Sequence, residues 1–235
     1  MPFLNSLEPV VVESVFFRSG PYRLEGELLY PESLPPTGAV VIANPHPLLG
    51  GDMRNNVVAG LGDGLAERGL TVLRFNYRGV GRSEGPAIDV ARHLAQFWET
   101  SHVADELGLH ADLEAAIGFL RAALPPESPL AAVGYSFGCA LLPRVPSIDT
   151  LDALVLIAPT IAKHDFEPYV LVERPLLVIA PEDDFATDLS VVRDWYDRLA
   201  APKQLVTTRL DNHFFRGHEA WLAETVHAFL DARWK

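Results

Sequence analysis

Short apolar runs recur along the chain, each closed off by glycine, proline or polar residues. They read "AVVIAN" (39–44), "TVLRFN" (71–76), "LAAVGY" (130–135), "ALVLIA" (153–158) and "PLLVIA" (175–180). They lack the in–out alternation of a half-solvated strand, so they predict strands covered on both faces. Between them the pattern shifts to helical spacing over Asn56 to Arg68, ending at Gly69, and from about Val103 to Ala123, ending at Pro125 and Pro126. A short helix after Ser136 is stopped by Pro143 and Pro146. Further helices are expected over Leu189 to Ala200 and over 219–233, on either side of a last strand at 203–210. The opening differs: Val10 to Phe17 and Tyr22 to Tyr30 flank Gly20-Pro21 and predict an antiparallel hairpin. A hairpin followed by alternating strands and helices predicts an α/β chain with a mostly parallel twisted sheet and helices on both faces. With no repeat, low-complexity tract or linker, residues 1–235 read as one domain.

Composition narrows the partners. A formal net charge of −12 argues against nucleic acid, whose phosphates call for clustered Lys and Arg. The single cysteine, Cys139, leaves no internal disulfide framework and no multi-cysteine metal site. No basic segment leads into an apolar stretch at the start, and no apolar run reaches membrane-spanning length, so a cytoplasmic location without membrane association is expected. A homo-oligomer is compatible with all of this.

In open parallel sheets, ligands bind beyond the carboxyl ends of the strands. "LAAVGY" ends at Ser136, which sits between Gly134 and Gly138 in "GYSFG". That G-x-S-x-G pattern is weak alone, since a serine between glycines also suits an ordinary turn. "PLLVIA" is followed by "PEDDFATD", and "KQLVTTRL" by "DNHFFRG". Serine, acid and histidine thus follow three strand ends in the order Ser, Asp, His, the chain order of α/β-hydrolases.

Three further stretches, "NPHPLLGGDMRNN", "RFNYRGVGRSEG" and "LDNHFF", carry the resemblance further. Over nearly its whole length the chain resembles the α/β-hydrolase superfamily. In particular it is similar to small lidless bacterial serine hydrolases related to dienelactone hydrolases and esterases. The resemblance implies an α/β-hydrolase fold with no cofactor and no metal. It implies Ser136 as nucleophile and His213 as general base. His93, His102, His110 and His227 fall on predicted helices, and His164 and His218 in loops, with His218 the main rival to His213. The family's acid loop reads G-x-x-D. Pro181 stands at the glycine's place here, which points to Asp184 and leaves Asp183 as the alternative.

An oxyanion hole needs backbone N–H groups. Phe137, which follows the nucleophile, would supply one. Pro45 and Pro47 have no N–H, so His46 or Leu48 would supply the other, and the family alignment favours His46. The "RGVGRSEG" glycines at 79, 81 and 85 miss dinucleotide spacing.

Residues 86–102, "PAIDVARHLAQFWETSH", are longer than the connection expected there. Val90, Leu94, Phe97 and Trp98 share a helical face, which reads either as a small cap over the cleft or as a helix packed on the body. Leu48, Phe97 and Trp98 are the candidate substrate contacts. The function expected is cleavage of a carboxylic ester through an acyl-enzyme. Thioesters, lactones, amides and acyl transfer are the alternatives within enzymes, and a non-catalytic binding protein is the alternative outside them.

Overall fold

The computed structural model describes residues 9–101, 103, 108–200, 202–209 and 213–234. Eight strands form one sheet: β1 (Val10–Ser19), β2 (Tyr22–Pro31), β3 (Ala39–Ala43), β4 (Thr71–Phe75), β5 (Leu130–Tyr135), β6 (Ala153–Ile157), β7 (Leu176–Pro181) and β8 (Lys203–Thr208). Their spatial order is β1-β2-β4-β3-β5-β6-β7-β8. β1 and β2 pair antiparallel, β2 joins β4 antiparallel, and every later pairing is parallel.

The absence of alternation in the central strands has its expected cause. Val40 and Ile42 of β3 join an apolar cluster with α1 (Asn56–Ala66) and α6 (Glu219–Trp234), through residues such as Leu61, Leu65, Val226 and Leu230. Val41 and Ala43 join the cluster on the other face, with α3 (Leu109–Ala122) and α5 (Leu189–Asp197). Both faces of the sheet are therefore covered, and all five β3 residues are buried. Among the described residues no helix is long and apolar enough to cross a membrane.

Two elements differ from the sequence expectation. The helix expected from Val103 begins instead at Leu109, because Gly108 sits at φ +90°, outside helical geometry. Val103 is a buried residue outside any helix, and 102 and 104–107 lie outside the described residues. The 86–102 segment contains α2 (Val90–Thr100), capped by the Asp89 side chain on the Arg92 amide. α2 has no fully buried residue and packs against the 3₁₀ turn Pro47–Leu49 that follows β3.

The loop after β4 is tied down from behind. Asp112 of α3 is fully buried and accepts hydrogen bonds from Ser19 Oγ at 2.6 Å, the Arg78 amide at 2.9 Å and Arg78 Nη2 at 2.6 Å. Hydrogen bonding to Asp112 holds the Arg78 guanidinium above its ordinary pKa.

Candidate active site

β5 runs into a sharp turn and then into α4 (Gly138–Leu141). Ser136 lies at the turn with φ +55°, a left-handed backbone that a non-glycine residue adopts only when its surroundings hold it there. The Ser136 amide donates to the Ile157 carbonyl on neighbouring β6 at 2.9 Å. The two flanking glycines are needed for close approach. A Cβ on Gly134 would meet the Cys139 backbone at 2.7 Å, and one on Gly138 would strike the Ala43 carbonyl of β3. The turn is thus pressed against its own helix and the end of the adjacent strand, with the serine at the carboxyl edge of the sheet.

Asp184 and His213 meet the serine there. His213 Nε2 is 2.8 Å from Ser136 Oγ, and His213 Nδ1 is 2.9 and 3.0 Å from the two Asp184 oxygens. The side chains of His213 and Asp184 are 6% and 4% exposed. Asp184 Oδ1 also accepts from the Ala186 amide at 2.8 Å, which fixes the carboxylate plane. Neighbouring Asp183 is exposed, and Glu182 pairs with Arg209 at 2.6 Å. Of the acids in "PEDDFATD", Asp184 is therefore the one set against the imidazole. His218, the rival histidine, is half-buried just before α6, where its amide donates to the Phe215 carbonyl. His93, His110 and His227 lie on α2, α3 and α6, and His102 lies outside the described residues.

Behind the serine the packing is apolar. Cys139 is fully buried with its thiol toward the Gly134 carbonyl at 3.1 Å, and burial pushes that thiol well above its ordinary pKa. Tyr135, also buried, donates its hydroxyl to the His213 carbonyl at 3.0 Å, clamping the histidine turn onto β5. Nothing in the sequence singled out this tyrosine. Its only signal was position, since successive strand residues point to opposite faces and so Tyr135 faces the α1 and α6 side.

On the other flank, the turn after β3 lays the His46 ring against Phe137, with centroids 4.1 Å apart. The Leu48 amide turns back to His46 Nδ1 at 3.2 Å. That bond engages the N–H of Leu48, the alternative to His46 as donor on this turn. His46 Nδ1 acts as an acceptor here, which places the ring proton on Nε2 when the imidazole is neutral.

A cleft of about 200 Å³ opens over Ser136 and His213. Phe97 of α2 and Val103 line one side, and Phe185 and Phe214 line another. The two other substrate-contact candidates fall elsewhere. Leu48 is half-buried in its turn, and its neighbour Leu49 lines the cleft instead. Trp98 does not line the cleft and is 74% exposed. It follows Phe97 by one residue, about 100° around the helix, so only one of the two rings can face inward. Besides Leu49, Val103, Phe185 and Phe214, the lining residues that sequence reasoning missed include Thr160, Lys163 and His164, from the connection after β6.

A strained serine turn after a central parallel strand, with a carboxylate and an imidazole from later strand ends, is the arrangement of α/β-hydrolases. The sequence model of the alpha/beta hydrolase family matches residues 46–234, and the chain belongs to that family. A lidless α/β serine hydrolase from Xanthomonas campestris is 27% identical, with a TM-score of 0.77 over 96% of each chain. An α/β serine hydrolase homologue from Coxiella burnetii is 25% identical, with a TM-score of 0.76 over 93% of this chain and 97% of that one. An uncharacterized protein of Rickettsia prowazekii is 26% identical over 228 residues, 92% of this chain and 87% of its own length.

Proposed function

We propose that the protein is a serine hydrolase that cleaves a carboxylic ester through an acyl-enzyme. The observation that carries this reading is the continuous hydrogen-bonded chain from Ser136 Oγ through His213 to Asp184, with gaps of 2.8 and 2.9 Å. A serine hydroxyl is a weak nucleophile until a positioned base takes its proton. His213 Nε2 takes that proton as Oγ bonds to the ester carbonyl carbon. The carbonyl π electrons move to oxygen, which the amides of Phe137 and His46 stabilise as an oxyanion. Asp184 holds the imidazole with its proton on Nδ1 and stabilises the imidazolium. Collapse breaks the bond to the alkoxy oxygen, which receives the proton from Nε2 and leaves as the alcohol. Water then gives a proton to Nε2 as its oxygen bonds to the acyl carbon. The Oγ–carbon bond breaks, the acid departs, and the proton returns to Ser136. Similarity to a hydrolase described as lidless fits a cleft closed by no large insertion.

With 4-nitrophenyl acetate in excess, pre-steady-state mixing is expected to show a rapid release of nitrophenolate approaching one equivalent per active site, followed by slower turnover. Ser136→Ala is expected to remove both phases. Equal release by the parent and by Ser136→Ala contradicts the reading.

Residue α2 supplies to the cleft is assigned a role as well: Phe97 covers the acyl or alcohol chain as a small cap. Phe97→Ala is therefore expected to raise KM for a long-chain ester about five- to tenfold, the scale of one or two buried methylenes or more, with acetate esters affected far less. Trp98→Ala is expected to leave both substrates nearly alike. An unchanged long-to-short ratio of kcat/KM for Phe97→Ala rejects the cap.

A further inference from the structure

In a chain carrying a formal charge of −12, no carboxylate side chain lines the cleft among the described residues. Lys163 does line it. It is one of only three lysines in the sequence, the others being Lys203 and Lys235. Lys163 is exposed, and no ion pair within 4.0 Å engages its ammonium among the described residues. Of the acids next along the chain, Asp165 accepts from the Glu167 amide at 3.0 Å, and Glu167 pairs with Arg198 at 2.7 Å. Beside Lys163, His164 Nδ1 lies 2.9 Å from Thr160 Oγ1, and both residues also line the cleft. A cation lining a cleft to which the described residues bring no carboxylate side chain, beside a hydroxyl and an imidazole, is an arrangement for an anion.

The rings around the site say on which side that anion belongs. Phe185 and Phe214 surround His213, at 5.0 and 5.7 Å. The alkoxy oxygen takes its proton from His213 Nε2, so the leaving alcohol faces this aromatic wall. His164 instead lies against Phe137, with centroids 5.3 Å apart, on the flank where the oxyanion amide of Phe137 sits. An acyl chain directed away from His213 would pass Phe137, and His164 with its neighbours Thr160 and Lys163 lies on that flank.

Building on the serine-hydrolase reading above, we infer that the substrate is an ester whose acyl portion carries an anionic group, such as a half-ester of a dicarboxylic acid, received by Lys163. The alcohol portion is apolar. Arg216 lies over the Phe214 ring at 5.4 Å but does not line the cleft, so among the described residues the wall around His213 offers no matching Lys or Arg.

The test compares three esters that release a coloured nitrophenolate: 4-nitrophenyl hydrogen glutarate, 4-nitrophenyl hexanoate, and 3-carboxy-4-nitrophenyl hexanoate, which moves the charge to the leaving group. Wild-type protein is expected to favour the glutarate half-ester over the neutral hexanoate in kcat/KM. Lys163→Met should lower that ratio about five- to tenfold, the scale of a partly exposed charge-assisted contact. Lys163→Glu should lower it further, and Lys163→Arg should retain most of it. Salt at about 0.5 M should erode the wild-type preference, because screening acts on exposed charges. Each ratio is internal to one protein sample, so partial misfolding of a variant cancels. The same glutarate-to-hexanoate ratio in wild type, Lys163→Met and Lys163→Glu overturns the inference while leaving the serine-hydrolase reading intact. A larger effect of Lys163→Met on the 3-carboxy leaving-group ester overturns the acyl-side placement. Failure of wild-type protein to turn over any of the three, together with no labelling of Ser136 by a fluorophosphonate, overturns the hydrolase reading and this inference with it.

Discussion

Replacing Asp184 with asparagine is expected to lower kcat by up to about ten-thousand-fold while the protein still folds. Both Asp184 oxygens lie against His213 Nδ1, at 3.0 and 2.9 Å, and one also receives the Ala186 amide. An asparagine of the same shape keeps the Ala186 bond by presenting its oxygen there, so its NH2 group faces the imidazole. The ring then accepts on Nδ1 and carries its proton on Nε2, the nitrogen that must take the proton of Ser136. The geometry survives and the base is lost. Asp183→Asn, one residue away but exposed, is expected to change kcat little. Ester kinetics on both variants, with melting curves for each, read the difference. The reverse ranking would move the acid to Asp183.

The largest expected effect on stability lies away from the cleft. Asp112→Ala removes a fully buried carboxylate that binds Ser19, the Arg78 amide and the Arg78 guanidinium. The Arg78 side chain is only 23% exposed, so its charge is left largely without compensation. Breaking a buried pair from one side costs about 3–5 kcal/mol. For a chain of this length that is a fall in melting temperature of roughly 6–10 °C. Replacing both partners with apolar residues, as in Asp112→Leu with Arg78→Met, is expected to recover a substantial part of the loss, because no charge remains buried alone. Thermal denaturation of the single and double variants checks this. A double variant no more stable than Asp112→Ala would mean that the hydrogen bonds to Ser19 and the loop backbone matter more than the charge.

The sheet was legible because burial on both faces writes itself into sequence as unbroken apolar runs, and each of the five central runs is a strand with at least one parallel neighbour. The elbow around Ser136 was legible for a covalent reason: the two glycines sit where any Cβ would meet backbone. The positions of Asp184 and His213 beyond their strands followed from the same topology. What stayed hidden depends on contacts between distant residues. Asp112 and Arg78 are 34 residues apart, and no local pattern marks them as partners. Lys163 and His164 lie in an irregular connection where periodicity says nothing about direction. The start of α3 was misplaced because Gly108 interrupts an otherwise helical spacing, and Trp98 was grouped with Phe97 because a stripe drawn on a helix is wider than the cleft it faces. The amide of Leu48 could be weighed against that of His46 only once its bond to the His46 ring was visible.

The central claim is that Ser136 is a nucleophile activated by His213. Reaction with a fluorophosphonate, followed by intact-mass and peptide analysis, tests it without knowledge of the natural ester. One adduct per chain is expected, on the peptide containing Ser136, with labelling slowed by orders of magnitude in His213→Ala and absent in Ser136→Ala. An adduct that persists in Ser136→Ala, or folded wild-type protein that takes up no label, would contradict the account.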